Sequence, residues 1–201
     1  MKKLLFCLFV LLPFWGMAQK KEVMPKKKFD VEDAKARLAL GTSTIKGVAV
    51  AREYNNTSTK AEIIGVKHYA PEGTVVLLFP MTDYFKEYLK MRQKYKMSLK
   101  YIPVLSQEAF AYRIEATVGA NGEFVFEQML PGKYYLETQF NYTGAAIGQR
   151  QIGVTDYYNG YGHYRGSSPI YQSFKYNYNG ATIERAFVEI KKDGEVKNVK
   201  L

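Results

Sequence analysis

Two histidines, His68 and His163, stand far apart in the chain, and neither belongs to a ligand-spaced cluster of the kind a zinc centre needs. No Gly-x-Ser-x-Gly elbow, His-Glu-x-x-His pair or Walker phosphate loop occurs. Glu115, Glu123, Glu127 and Glu137 fall on or near expected strands, yet nothing in the sequence pairs them for acid–base work. The only cysteine, Cys7, lies in a segment expected to be removed, so no thiol nucleophile or disulfide follows. No catalytic residue, metal site or cofactor is expected.

What the sequence offers instead is contact chemistry. Tyr157, Tyr158, Tyr161, Tyr164 and Tyr171 crowd around Asn159 to Ile170 (NGYGHYRGSSPI), a glycine- and serine-rich stretch. Exposed tyrosines give a large contact area at small entropic cost, and the polar residues between them can orient a partner. Tyr158, Tyr161, His163, Tyr164, Arg165 and Tyr171 are therefore the candidate ligand-binding residues, with a carbohydrate or a protein as partner. Mutual packing of the tyrosines along a sheet edge is the competing reading. The stretch reads as a long loop of the kind that carries function.

The elements that must hold this loop read as strands. The organising stretch is Thr117 to Thr138 (TVGANGEFVFEQMLPGKYYLET). Asn121-Gly122 supplies positive φ angles and predicts a tight hairpin. Phe124 and Phe126 alternate with Glu123, Val125 and Glu127 as in a half-buried strand. Leu130-Pro131-Gly132 predicts a second reversal with glycine in the left-handed position. Further strands are predicted over Thr44–Arg52, Ala61–Tyr69, Thr74–Phe79, Phe110–Val118, Lys133–Thr143, Gln149–Tyr157, Tyr171–Tyr178, Thr182–Lys191 and Val196–Leu201. Gly144, Asn179-Gly180 and Asp193-Gly194 are the expected turns between them. Two stretches change period. Asp30 to Leu40 predicts a short helix stopped by Gly41, and Thr82 to Tyr95 a helix of three to four turns with a basic outer face of Lys86, Lys90, Lys94 and Lys96.

The ends set the address. Met1-Lys2-Lys3, an apolar run from Leu4 to Phe14 and small residues to Ala18 have the layout of a signal peptide cleaved after Ala18. That run is too short for a spanning helix, so no transmembrane segment is expected after cleavage. The mature protein is then periplasmic or secreted. Loss of Lys2 and Lys3 takes the formal charge from +10 to +8, scattered over the chain, and nucleic acid is not an expected partner. Gln19 to Lys28 reads as a flexible leader, followed by the short helix up to residue 41, with the folded domain over 42–201 and its helical insertion over 82–96.

Two resemblances add to this. Gly119-Ala120-Asn121-Gly122-Glu123-Phe124-Val125-Phe126, with Leu130-Pro131-Gly132-Lys133-Tyr134-Tyr135-Leu136 and the opening Ile45-Lys46-Gly47-Val48-Ala49-Val50, resembles the carboxypeptidase regulatory-like domain. The resemblance implies an all-β, prealbumin-like (transthyretin-like) antiparallel sandwich of seven to eight strands, here with a helical insertion and a short N-terminal helix. It also implies an accessory, non-enzymatic module that binds carbohydrate or protein in the bacterial envelope. Separately, Tyr164-Arg165-Gly166-Ser167 is similar to the terminal tetrapeptide of the transthyretin-like hydroxyisourate hydrolases. That implies, as the alternative, a hydrolase using His68, His163 and Arg165. In this chain 34 residues follow the tetrapeptide, and the opening strand carries no histidine.

Overall fold

A computed structural model describes residues 20–53 and 66–201. The expected signal peptide lies outside the described residues, as do the polar turn and most of the irregular strand expected before His68.

Two sheets face each other. The first has four antiparallel strands, ordered β10 (Tyr164–Ile190), β9 (Gly132–Tyr158), β5 (Val75–Pro80) and β7 (Ile114–Thr117). The second has three, ordered β11 (Val196–Lys200), β2 (Ser43–Val48) and β8 (Glu123–Met129). Period-two alternation sends Phe124 and Phe126 inward from β8 while Val125 stays exposed. Together with Ile45 and Met129 they meet Val76, Leu78, Tyr134, Leu136, Phe140, Val188 and Ile190 of the larger sheet in one buried cluster. The sandwich is not wholly antiparallel, because β11 runs parallel to β2. It reaches that position by crossing from β10 in the opposite sheet.

The turn signals are real, but several do different work from that expected. Asn121 (φ 58°) and Gly122 (φ 79°) adopt the left-handed conformation, yet β7 and β8 belong to different sheets, so the turn is a crossing and not a hairpin. Asp193-Gly194 likewise crosses between sheets, with Gly194 at φ 75°. At Leu130-Pro131-Gly132 the positive φ belongs to Gln128 (56°), at an irregularity where Ser43 faces Met129 and Ile45 faces Phe126. Here the extra residue of a bulge, not Gly132, takes the left-handed position.

Helix α2 (Asp83–Lys94) lies on the outer face of the larger sheet. Thr82 caps it by accepting from the Phe85 backbone N–H at 3.2 Å. Phe85 packs against Phe79 and Tyr135, with Phe79 and Phe85 stacked at 4.9 Å. Helix α1 (Val31–Arg37) is capped by Asp30 and buries Ala34. Phe110 and Ala111, expected on a strand, belong to the short helix α3 (Gln107–Ala111), capped by Ser106. The strand predicted over Thr44–Arg52 breaks at Ala49, beyond which β3 (Val50–Glu53) pairs with β4 (Val66–Tyr69).

The leader is tied down, contrary to expectation. β1 (Lys21–Val23) pairs in parallel with β6 (Tyr101–Pro103), and Glu87 of α2 accepts from the backbone N–H groups of Lys26 and Lys27 at 3.2 and 3.0 Å. Lys27 also pairs with Asp83 at 3.1 Å. Hydrogen bonds from Lys86 and Lys27 hold the Asp83 carboxyl down at about 2, and the two backbone donors lower that of Glu87. A lowered carboxylate supports the folded contact at neutral pH and loses that support as pH falls through its own value. The contacts of Lys26 and Lys27 with α2 should therefore loosen as pH falls below ~4, while the backbone pairing of β1 with β6 persists. Hydrogen exchange checks this: protection at Lys26 and Lys27 should fall in acid while that over residues 21–23 holds, and unchanged protection at the two lysines would refute it.

Candidate functional site

The largest departure from expectation is the hairpin of β9 and β10, 27 residues on each side. Gly144 and Asn179-Gly180, read as turns, lie within straight ladder: Gly144 faces Tyr178, and Gly180 faces Tyr142. These glycines make room for rings. A Cβ built at Gly144 would strike the Tyr178 ring, one at Gly148 the Phe174 ring, and one at Gly180 the Tyr142 ring. The strand predicted over Gln149–Tyr157 is the far part of β9, and residues 164–170 of the expected loop are strand as well.

β5 accompanies β9 only as far as Thr138. Beyond it the pair continues as a two-stranded ribbon. From Gly144 and Tyr178 to Tyr158 and Tyr164 its contour is about 50 Å at ~3.4 Å per residue. At the far end the chain reverses through residues 159–163. The Asn159 side-chain oxygen accepts from the backbone N–H groups of Tyr161 and His163 at 3.0 and 2.8 Å, and Gly162 takes φ 79°. Asparagine thus builds the turn by mimicking a backbone carbonyl.

Five of the six candidate residues gather at this tip. Tyr158 and Tyr164 are a cross-strand pair in edge-to-face contact at 5.9 Å. Tyr161 is 89% exposed at the apex, His163 is exposed beside it, and Arg165 sits exposed at a register shift between Tyr164 and Gly166. Tyr171 is apart: it faces Gln151, seven positions down β10, or about 24 Å from the tip. His68 is at the other end of the ribbon, stacked on Tyr142 at 4.3 Å. Some 50 Å of contour therefore separates the two imidazoles. Among the described residues no three His, Cys, Asp or Glu side chains come together as metal ligands, and no helix is long and apolar enough to cross a membrane.

Sequence reasoning missed two features. One is a row of aromatics along one face of the ribbon, Tyr178, Tyr176 and Phe174, with neighbouring centroids 6.4 and 5.9 Å apart. The signal was present, since Phe174-Lys175-Tyr176-Asn177-Tyr178 places rings two apart, opposite Gly144, Ala146 and Gly148. The other is an ionic cluster under α2, beside an apolar cavity of about 260 Å³ lined by Leu77, Phe85, Leu105 and their neighbours. Glu137 accepts from Arg92 at 2.6 Å, from Arg185 at 2.8 Å and from the Tyr135 hydroxyl at 2.6 Å. Burial alone would push the Glu137 carboxyl up, but the three donors outweigh it and leave the group below its ordinary value. Burial, and then the carboxylate beside it, push the Tyr135 hydroxyl far up, so it remains a proton donor. Every member of the cluster is satisfied by another, and its chemistry is that of a clamp.

Among the described residues the fold and this arm define a mainly β sandwich with several antiparallel sheets, three short helices and a projecting ribbon. No family model matches the chain, and no curated protein matches it. Among solved structures it is similar to one described as a "putative carbohydrate binding protein" from Pseudomonas aeruginosa, at 19% identity and a TM-score of 0.51. That match covers 89% of this chain and 99% of the other, and it shows a shared sandwich fold. The minor pilin of Streptococcus agalactiae matches at 12% identity and a TM-score of 0.27, over 80% of this chain and 94% of the pilin.

Proposed function

We propose that this chain is an exported, non-enzymatic binding module of the bacterial envelope, periplasmic or secreted, whose ribbon tip contacts a carbohydrate or protein partner. The observation that carries this reading is the tip itself. Tyr158, Tyr161 and Tyr164 stand exposed at the end of a long arm, with His163 and Arg165 beside them as hydrogen-bond donors. Rings that offer faces, next to groups that bond hydroxyls or carbonyls, suit both partners. The description of the similar Pseudomonas aeruginosa protein as carbohydrate-binding favours carbohydrate. The carboxypeptidase regulatory-like motif, whose Phe124, Phe126 and Leu136 all lie in the core, favours an accessory module with a prealbumin-like scaffold.

Catalysis of the hydroxyisourate-hydrolase type needs its imidazoles within hydrogen-bond reach of one substrate. The length of ribbon between His68 and His163 argues against that alternative. The N-terminal run ending at Ala18 supports export. A glycan array and a pull-down from envelope extract, each with the Tyr161→Ala/Tyr164→Ala double variant, test the reading. Anchor aromatics of this kind carry ~2 kcal/mol or more each, so loss of one should weaken binding at least ~30-fold and loss of both up to ~1,000-fold. Unchanged binding by the double variant would remove the tip from consideration.

A further inference from the structure

The positive charge that the sequence spreads along the chain is gathered by the fold. Residues 20–28 and 83–101 hold eleven basic and three acidic side chains, a net of +8. The rest of the chain after Ala18 holds sixteen of each, so these two segments carry the whole excess. They lie side by side. Lys21 donates from its backbone to the Lys100 carbonyl at 2.7 Å, where β1 pairs with β6. At the other end the backbone groups of Lys26 and Lys27 reach Glu87, near the start of α2. The leader therefore runs back along the helix, and Lys26, Lys27, Lys86 and Lys90 line one surface hollow with Asp83 and Glu87. Lys86, Lys90 and Lys94 recur four apart on α2, which stacks them on one side of the helix, and all three are exposed.

Apolar side chains project from the same strip. Between α2 and β6 the chain reads Lys96-Met97-Ser98-Leu99-Lys100, with Tyr95 and Tyr101 on either side. The Ser98 hydroxyl accepts from the backbone N–H groups of Lys100 and Tyr101 at 3.2 and 3.0 Å, and the Tyr95 and Tyr101 rings meet at 5.4 Å. That turn leaves Met97 87% and Leu99 83% exposed. Among the described residues no large hydrophobic side chain outside the turn is more exposed, save Tyr161. A single exposed apolar residue is ordinary, but two at this exposure set between lysines have the composition of a surface that meets lipid.

We infer that this strip docks on the surface of an anionic phospholipid bilayer, with its lysines over the headgroups and Met97 and Leu99 dipping among the upper acyl chains. Charge complementarity selects anionic headgroups. The exposed methionine and leucine select a bilayer over a soluble polyanion, which stays hydrated and gives an apolar side chain nothing to enter. An acidic protein would need an apolar pocket of its own to seat both. This contact is separate from ligand capture at the tip and does not depend on it.

Flotation of the full chain from Gln19 with lipid vesicles tests the inference. One set is phosphatidylcholine, and the other contains roughly 30% phosphatidylglycerol. The chain should float with the anionic set at ~20 mM salt and not with the neutral one. It should come off by ~500 mM, where the Debye length shrinks to ~4 Å. Each lysine near an anionic surface raises partitioning roughly fivefold, so Lys94→Glu/Lys96→Glu/Lys100→Glu should lower it ~100-fold or more. Met97→Ser/Leu99→Ser should lower it about 10-fold and leave the salt dependence as it was. Both variants should keep the wild-type circular dichroism spectrum, because all five side chains are exposed. Tyr161→Ala/Tyr164→Ala should float as wild type does. Failure to float at low salt, equal flotation with the neutral set, or either strip variant partitioning like wild type overturns the inference. Retention on heparin without flotation also overturns it and assigns the strip to a soluble polyanion.

Discussion

Truncation of Phe126 to alanine is expected to destabilise the protein by about 3–5 kcal/mol, the range for removing a buried phenylalanine. Phe126 is 2% exposed, faces Ile45 across the β2–β8 pair and meets Phe124 edge-to-face at 5.9 Å. It sits where the two sheets close on each other, so the vacated space is walled by both and has little room to collapse. In urea the unfolding midpoint should fall with an unchanged slope, and the thermal midpoint should drop by roughly 10 °C for a chain of this size. Val125 is the control, one residue away but 42% exposed on the other face. Val125→Ala should stay within ~0.5 kcal/mol. Equal losses at the two positions would refute the inward assignment of the phenylalanine.

The second large effect is expected at Glu137. Replacement by glutamine removes the charge that Arg92 and Arg185 share, leaving two guanidiniums and the Tyr135 hydroxyl around a neutral amide. A fully buried pair broken on one side costs about 3–5 kcal/mol. Arg92 and Glu137 keep 25% and 24% of their side-chain surface, so water screens part of that, and about 2–3 kcal/mol is expected. A double-mutant cycle of Glu137→Gln with Arg92→Met isolates the pair. Coupling below ~0.5 kcal/mol would mean that the clamp is ornamental.

The sign with pH follows from the lowered carboxyl of Glu137. Its contribution is complete above the ordinary carboxylate range and disappears as pH falls through the lowered value. Glu137→Gln should therefore flatten the acid limb of the stability profile and leave the limb around neutral pH parallel to wild type.

Legibility followed the range of the interaction. The alternation around Phe124 and Phe126, and the three-to-four spacing from Asp83 to Lys94, are local, and both elements formed where the pattern put them. The reversal at Asn121-Gly122 was equally local, but which strand it leads to is settled by pairing far along the chain, so a hairpin became a crossing. Glycine misled for a related reason. At 144 and 180 it reads as a turn because no side chain is present, whereas in the fold the missing Cβ gives space to Tyr178 and Tyr142 on the neighbouring strand. Only the cross-strand register separates those uses. The candidate site was legible as a concentration of tyrosines, but its shape was not. Residues 159–170 looked like loop, although all but the five at the reversal continue a ladder that began in the core. The Glu137 clamp draws its partners from a helix and two strands, and no local pattern announces such a meeting.

The seam between β11 and β2 bears on how the chain reaches its fold. Thr42 donates from its backbone to the Asp193 side chain 151 positions later, and the pairing of Thr44 with Val196 spans a similar gap. A chain delivered N-terminus first leaves the first core strand without its last neighbour until nearly the whole chain has emerged. The hairpin, by contrast, can zip from Asn159 downward within microseconds. Assembly then runs from the arm inward, and the smaller sheet closes last. That vacant seat beside the first core strand is where a chaperone, or a stray strand from another nascent chain, would bind.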